Sequence, residues 1–287
     1  MTQLNYSDIL NKKNKFINLV EFSNFIDPST NYFNKNTTEF LTYCEKNDQK
    51  LKPDSRVTYK LNNFAHRSED FFTLDQNKNN ILFAGCSSTF GIGLPEKYIW
   101  SKILYNNLPL KNKGPFQSIG IPGAGAERLI SNIFKYCREF GNPKYIFIAF
   151  QDYTREMIYE ENENGGKFKD HIHLNYRTSK MDVTSNYDIS LIFQFQNLYR
   201  MLETYCKSHN IILLSTSWDS ITKTIMSELF TKSFTQNSIH FHEYVKNFNI
   251  DSIIKSDMDF LSAARDGHHP GIVSQNFISD SFLLGLT

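Results

Sequence analysis

From residue 81 onward, short unbroken apolar runs alternate with longer stretches in which apolar residues recur every three or four positions. Ile81–Gly85 is the first run, with a cysteine and two serines directly after it. Residues 96–104 place Ile99, Trp100, Ile103 and Leu104 at helical spacing. A second run covers residues 116–120, and Leu129, Ile130, Ile133, Phe134, Cys137 and Phe140 line one face of the helix that follows. Tyr145–Phe150, YIFIAF, is a third run. Leu191, Phe195, Leu198, Tyr199, Leu202, Tyr205 and Cys206 make a long amphipathic helix, and residues 211–215, IILLS, a fourth strand. The pattern further predicts a helix over 221–230, a short strand over 238–241, and a closing helix after Pro270 that carries Val273, Phe277, Ile278 and Phe282.

Strands that are apolar throughout are buried on both faces. Their alternation with amphipathic helices predicts an α/β fold with a central parallel sheet covered on each side. Residues 1–80 are polar and irregular, with a strand expected at 57–61 and a turn at Asn62–Asn63. They read as an N-terminal extension packed on a main domain of residues 81–287. Within that domain, residues 156–188 form an acidic insert that contains Gly and Asn and has no clear period.

Composition narrows the partners. Among 287 residues, 25 Phe and 15 Tyr supply enough large side chains for a sizeable core. Lys and Arg number 31 against 30 Asp and Glu, and no like-charge block marks a nucleic-acid surface. No stretch approaches the ~18 apolar residues of a membrane helix, and the first residues lack the apolar centre of a secretory signal. Cys44, Cys86, Cys137 and Cys206 are scattered, which reads as buried free thiols rather than a disulfide framework. The expected setting is soluble, reducing and cytoplasmic.

Open parallel sheets bind ligands at the carboxyl ends of their strands. That rule puts residues 86–89, 121–125, 151–155 and 216–219 at the site. Ser87 could expose a hydroxyl there with backbone N–H groups nearby, or a serine of this segment could simply cap a helix. The segment is not the G-x-S-x-G of a nucleophile elbow. Near the C-terminus, Asp266 and His269 lie three apart in DGHHPG, a loop by its Gly and Pro. An aspartate can orient an imidazole that faces a serine. His268 competes with His269, and the spacing alone does not choose. Gly123 could bring a backbone N–H close to a ligand. Gln151 could offer a side-chain amide, whereas Asp152 and Arg155 could form a local ion pair. The glycines do not make a dinucleotide or phosphate loop. The pairs His171/His173, His240/His242 and His268/His269 lack a third ligand, so no metal is expected.

These residues resemble the SGNH (GDSL-type) hydrolase superfamily over roughly residues 57–287. Gly85-Cys86-Ser87-Ser88-Thr89 is similar to the family's GDSxT block, and Phe90-Gly91-Ile92-Gly93 to its continuation. Residues 118–123, SIGIPG, are similar to NxGxxG, with Gly123 at the oxyanion glycine. Residues 266–271, DGHHPG, match DxxH followed by PG, which favours His269 over His268. Residues 61–68, LNNFAHRS, are similar to an LNxxGxR segment. The chain departs from the family at Cys86, where an aspartate is usual, and at Gln151, where GxND would place asparagine. The resemblance implies a three-layer α/β/α sandwich of the flavodoxin-like kind. It implies a serine ester hydrolase with Ser87 as nucleophile, His269 as base and Asp266 as orienting acid. The Ser87 and Gly123 N–H groups and Gln151 would form the oxyanion hole, and no cofactor is needed. The implied substrate is a small-molecule or carbohydrate O-acyl ester, often O-acetyl. Acyl transfer by the same triad and a catalytically silent binding module are the alternatives.

Overall fold

The computed structural model describes residues 25–27, 54–62, 64, 66–162, 165–172, 186–219, 222–224, 227, 241–264 and 269–286. Two strands come first, β1 (Phe25–Asp27) and β2 (Asp54–Tyr59), paired antiparallel. Then follow β3 (Ile81–Gly85), a four-residue helix α1 (Ser87–Phe90), α2 (Trp100–Asn107), β4 (Gln117–Gly120), α3 (Ala126–Phe140) and β5 (Tyr145–Phe150). After β5 come the strands β6 (Arg155–Asn162) and β7 (Gly165–Ile172), then α4 (Asn186–Ser208), β8 (Ile212–Ser217), α5 (Phe241–Asn247) and α6 (Ile272–Gly285).

The central sheet runs β4-β3-β5-β8, with every neighbour pair parallel. Counted within the sheet this is the order 2-1-3-4 of flavodoxin-like folds, whose switch point lies between the first and third strands. Alternate residues of each strand feed opposite layers. Leu82, Ala84, Ile119, Ile146, Ile148 and Phe150 pack on α3 and α4. Ile81, Phe83, Phe147, Ala149 and Leu214 pack on α2 and α6. In the second layer the Phe83 ring stacks on Phe147 at 5.6 Å and meets Trp100 edge-on at 5.7 Å. Such pairs are worth about 1 kcal/mol each beyond their burial. The result is a three-layer α/β/α sandwich.

The four apolar strands predicted at 81–85, 116–120, 145–150 and 211–215 are present, to within two residues at each end. The strand expected at 57–61 starts three residues earlier and ends two earlier, as β2. The side chain of Asn62 then shapes the next turn by accepting the Phe64 and His66 N–H groups. The helix expected over 96–104 is broken: Glu96–Tyr98 is a 3-10 turn, Ile99 is extended, and α2 starts at Trp100. In the insert expected without period at 156–188, β6 and β7 pair antiparallel with Glu160 opposite Lys167, and residues 173–185 lie outside the described residues. Of the helix expected over 221–230, residues 222–224 and 227 are helical and the rest lie outside the described residues. The strand expected at 238–241 also lies outside them, apart from Phe241, which begins α5. Cys86, Cys137 and Cys206 are buried free thiols, and Cys44 lies outside the described residues. Among the described residues no helix is long and apolar enough to cross a membrane.

Candidate active site

The strands of the sheet end level with one another. One rung carries Gly120, Gly85, Ala149 and Thr216 side by side. The next residues of each strand therefore emerge along a single edge. The rung is small because α1 folds back over it. A methyl group at Gly85 would come within 2.0 Å of Thr89 Oγ1 and 2.7 Å of the Ala149 carbonyl. Helix α1 thus sits on the ends of β3 and β4, beside the switch point between β3 and β5.

Ser87 is the first residue of α1 and is buried, at 8% exposure. The cap position belongs to Cys86, whose side chain makes no capping bond. Position N1 leaves the Ser87 N–H without an intrahelical acceptor. Four residues are too few for a helix to hold itself, and α1 is held from outside. Arg67, 3% exposed, donates to the carbonyls of Gly91 at 2.8 Å, Leu94 at 3.0 Å and Phe90 at 3.4 Å. Its charge thereby meets the negative end of the short helix. The Tyr59 hydroxyl accepts the Gly93 N–H at 2.7 Å, and its ring packs on Phe90. On the other side Trp100 Nε1 donates to Thr89 Oγ1 at 3.1 Å.

Gly123 lies after β4 in the turn Ile121-Pro122-Gly123-Ala124, closed by the Ala124 N–H on the Ile121 carbonyl at 3.1 Å. Its φ of +81 with proline before it makes this a type II turn. Among the described residues no atom beyond its chain neighbours lies within 4 Å of where a Gly123 methyl would be, so the glycine faces open space there. Under this loop His66 is fully buried, and burial pulls its pKa down to about 4, with Arg128 adding to the fall and a backbone hydrogen bond with Gly120 opposing it. His66 is therefore neutral near pH 7.

After β5 the backbone of Gln151 is fixed by β8 and its continuation. Its carbonyl accepts from Ser217 Oγ at 3.0 Å and from the Asp219 N–H at 3.2 Å. Its side-chain oxygen accepts from the Cys86 thiol at 2.8 Å. Asp152 is taken up locally: one oxygen accepts from the Thr154 N–H and hydroxyl, the other from Arg155 Nε at 3.1 Å. The ion pair anticipated between Asp152 and Arg155 forms, which leaves Gln151 as the amide of this loop. Asp219 accepts from the N–H and hydroxyl of Thr222, as a helix cap does.

His269 precedes α6, and its carbonyl accepts the Ala264 N–H at 2.9 Å. Two features bring this distant segment to α1. Phe90 and Ile92 share a buried cluster with Phe260, Ala264 and Ile272. Gln275, fully buried in the first turn of α6, uses one amide nitrogen to reach the carbonyls of Ser88 at 3.3 Å and Pro270 at 3.5 Å. Ser88 and Pro270 are the chain neighbours of Ser87 and His269. Its oxygen accepts the Trp100 N–H at 2.9 Å and so caps α2, whose own cap residue Ile99 has no side-chain acceptor. Asp266 and His268 lie outside the described residues. Gln275 and Tyr59 were not singled out from the sequence, and Arg67 was met there only as the arginine of the LNxxGxR-like segment, without a role. The amide pair Gln275-Asn276 within the largely apolar IVSQNFISDSFLLG was the readable signal for Gln275. Among the described residues no group of three His, Cys, Asp or Glu side chains is placed to hold a metal ion.

The fold and site define a doubly wound α/β protein whose strand-end edge carries a buried serine, a positive-φ glycine and an amide, with the carbonyl beside His269 tied to the carbonyl beside that serine through Gln275. No family model matches the chain, and no curated protein sequence matches it. Among solved structures it is similar to a psychrotrophic esterase from Pseudoalteromonas, at 13% identity and TM-score 0.39 over 73% of this chain and 97% of that one. It is similar to TesA at 10% identity and TM-score 0.43, over 72% and 98% of the two chains. A member of the lipolytic protein G-D-S-L family from Veillonella parvula gives 12% identity and TM-score 0.39, over 71% and 96%.

Proposed function

We propose that the protein is a serine ester hydrolase of the SGNH type, acting through Ser87, His269 and Asp266. The observation that carries this reading is the Gln275 amide, which ties the neighbour of Ser87 to the neighbour of His269 inside the fold. In the reaction, His269 accepts the Ser87 hydroxyl proton as the serine oxygen attacks an ester carbonyl carbon. Asp266 is assigned by its spacing from His269 and would stabilise the imidazolium. The N–H groups of Ser87 and Gly123 and the Gln151 side-chain amide stabilise the oxyanion. Collapse breaks the ester C–O bond, and the alcohol leaves with the proton from His269. Water, deprotonated by His269, then cleaves the acyl-enzyme, and Ser87 recovers its proton as the acid departs. The substrate class is an O-acyl ester, with O-acetyl groups on a carbohydrate as the leading instance.

The test is hydrolysis of a short-chain aryl ester and of an acetylated sugar by the wild type and Ser87→Ala, with a fluorophosphonate probe as covalent label. The reading expects turnover and labelling that both vanish in Ser87→Ala. Labelling without hydrolysis would shift it to acyl transfer, in which a sugar hydroxyl replaces water. Turnover that survives Ser87→Ala, or absence of both signals in the wild type, would overturn it.

A further inference from the structure

The two positions at which the chain departs from the family pattern, Cys86 and Gln151, touch each other. Cys86 is fully buried between the ends of β3 and β5, and its thiol donates to the Gln151 side-chain oxygen at 2.8 Å. Gln151 is half-buried, and its backbone is already pinned by Ser217 and Asp219. A glutamine has one more methylene than an asparagine, and its planar carboxamide can turn either edge outward. A donor at position 86 settles that choice. It occupies the oxygen, so the amide N–H₂ edge is turned away from the thiol and left free to donate at the strand ends. A carboxylate at position 86 would do the reverse, because it can only accept. The Ser87 hydroxyl lies 3.9 Å from the same sulfur, so the thiol also sits beside the proposed nucleophile.

We infer that Cys86 is a positioning residue: its thiol orients the Gln151 carboxamide with the N–H₂ edge toward the developing oxyanion. This rests on the ester-hydrolase reading above. The effect belongs to the transition state, so kcat and kcat/KM fall together and KM stays nearly constant.

The experiment is a double-mutant cycle on ester hydrolysis with Cys86→Ala, Gln151→Ala and the pair. Cys86→Ser and Cys86→Asp are added, and melting temperature and fluorophosphonate labelling are measured for each. Loss of an oxyanion donor costs ~100-fold in kcat, which is the expectation for Gln151→Ala, and misorientation of that donor about ten-fold, the expectation for Cys86→Ala. In the Gln151→Ala background, Cys86→Ala should cost less than about two-fold, because there is no amide left to orient. Cys86→Ser, which keeps a donor, recovers most of the Cys86→Ala loss, and Cys86→Asp does not. Cys86→Val, which fills the volume without donating, replaces Cys86→Ala if the latter fails to fold. Equal Cys86→Ala costs in both backgrounds, or a Cys86→Ser variant no better than Cys86→Ala, overturn the role of Cys86 while leaving the hydrolase reading intact. A wild type with no Ser87-dependent turnover or labelling removes both.

Discussion

Replacing Gln275 with methionine removes both polar ends of a buried side chain while nearly keeping its length and volume. Three hydrogen bonds go with it. The Trp100 N–H loses its acceptor at the start of α2, where no local cap exists, and the loss of a cap is worth about 1 kcal/mol. The Ser88 and Pro270 carbonyls lose donors at 3.3 and 3.5 Å. Bonds this long contribute at the weak end, about 0.5 kcal/mol each. The expected destabilisation is therefore about 2 kcal/mol, or roughly 4–8 °C in Tm for a domain of this size. Activity should fall further than stability suggests. The amide that joins the neighbours of Ser87 and His269 is gone, and a small misplacement of the proposed nucleophile and base costs about ten-fold or more in kcat. Urea unfolding followed by circular dichroism gives the first quantity. Ester hydrolysis at a temperature well below the melting range gives the second. A variant within about 0.5 kcal/mol of wild type and within about two-fold in kcat would refute the tie.

Gly123→Ala should cost about 1 kcal/mol, all of it conformational, because φ is +81 and no atom lies within 4 Å of the added methyl; a urea-measured loss above ~2 kcal/mol would reveal a steric clash instead. Arg67→Met strands three carbonyls around the end of α1 and should cost about 3 kcal/mol, with Arg67→Lys recovering little because a compact ammonium cannot reach all three. A loss under about 1 kcal/mol would mean that the clamp carries no energy. His66 should make the fold acid-sensitive: its pKa is about 4 in the folded state against 6.5 unfolded, so the unfolded chain binds more protons between those values. Its stability contribution is intact above pH 6.5, falls as pH drops through that window, and levels off below about 4, a total of about 3 kcal/mol. Unfolding free energies at pH 7.5 and 4.5 should therefore differ less in His66→Phe than in wild type, and an unchanged difference would contradict the assignment.

The sheet was legible because its strands are apolar on both faces, and the helices because their apolar stripes keep a 3.6-residue period. Register was not. A strand buried on both sides offers no polar face to fix which residues stand opposite, so the level rung of Gly120, Gly85 and Ala149 could not be read from spacing. The hairpin of β6 and β7 was hidden for a related reason. Its sequence carries charges along both strands, and its register sets apolar against apolar only at Tyr159 and Phe168, with Glu160 opposite Lys167 and Ile158 opposite Lys169. At the site, residue types and strand ends pointed to Ser87, Gly123 and Gln151. The contacts that hold those residues are long-range, such as Ser88 to Gln275 and Cys86 to Gln151, and no local pattern encodes them.

These long-range contacts fall on one short element. Helix α1 has four residues, no side-chain cap and a glycine in left-handed conformation directly after it. Nothing within it is strong enough to hold Ser87 in one place. Tyr59 and Arg67 grip its C-terminal end from the chain before the sheet, Trp100 holds Thr89, and Gln275 holds Ser88. Each bond reaches a backbone group or the Thr89 hydroxyl, not the Ser87 side chain. Among the described residues the serine hydroxyl holds none of these elements; it donates weakly to the adjacent Cys86 sulfur at 3.9 Å. A cap serine would have the opposite arrangement, its oxygen spent on the helix and its backbone free to vary. That division of labour, with structure on the neighbours rather than on the hydroxyl, is the arrangement the proposed nucleophile requires and a capping serine does not.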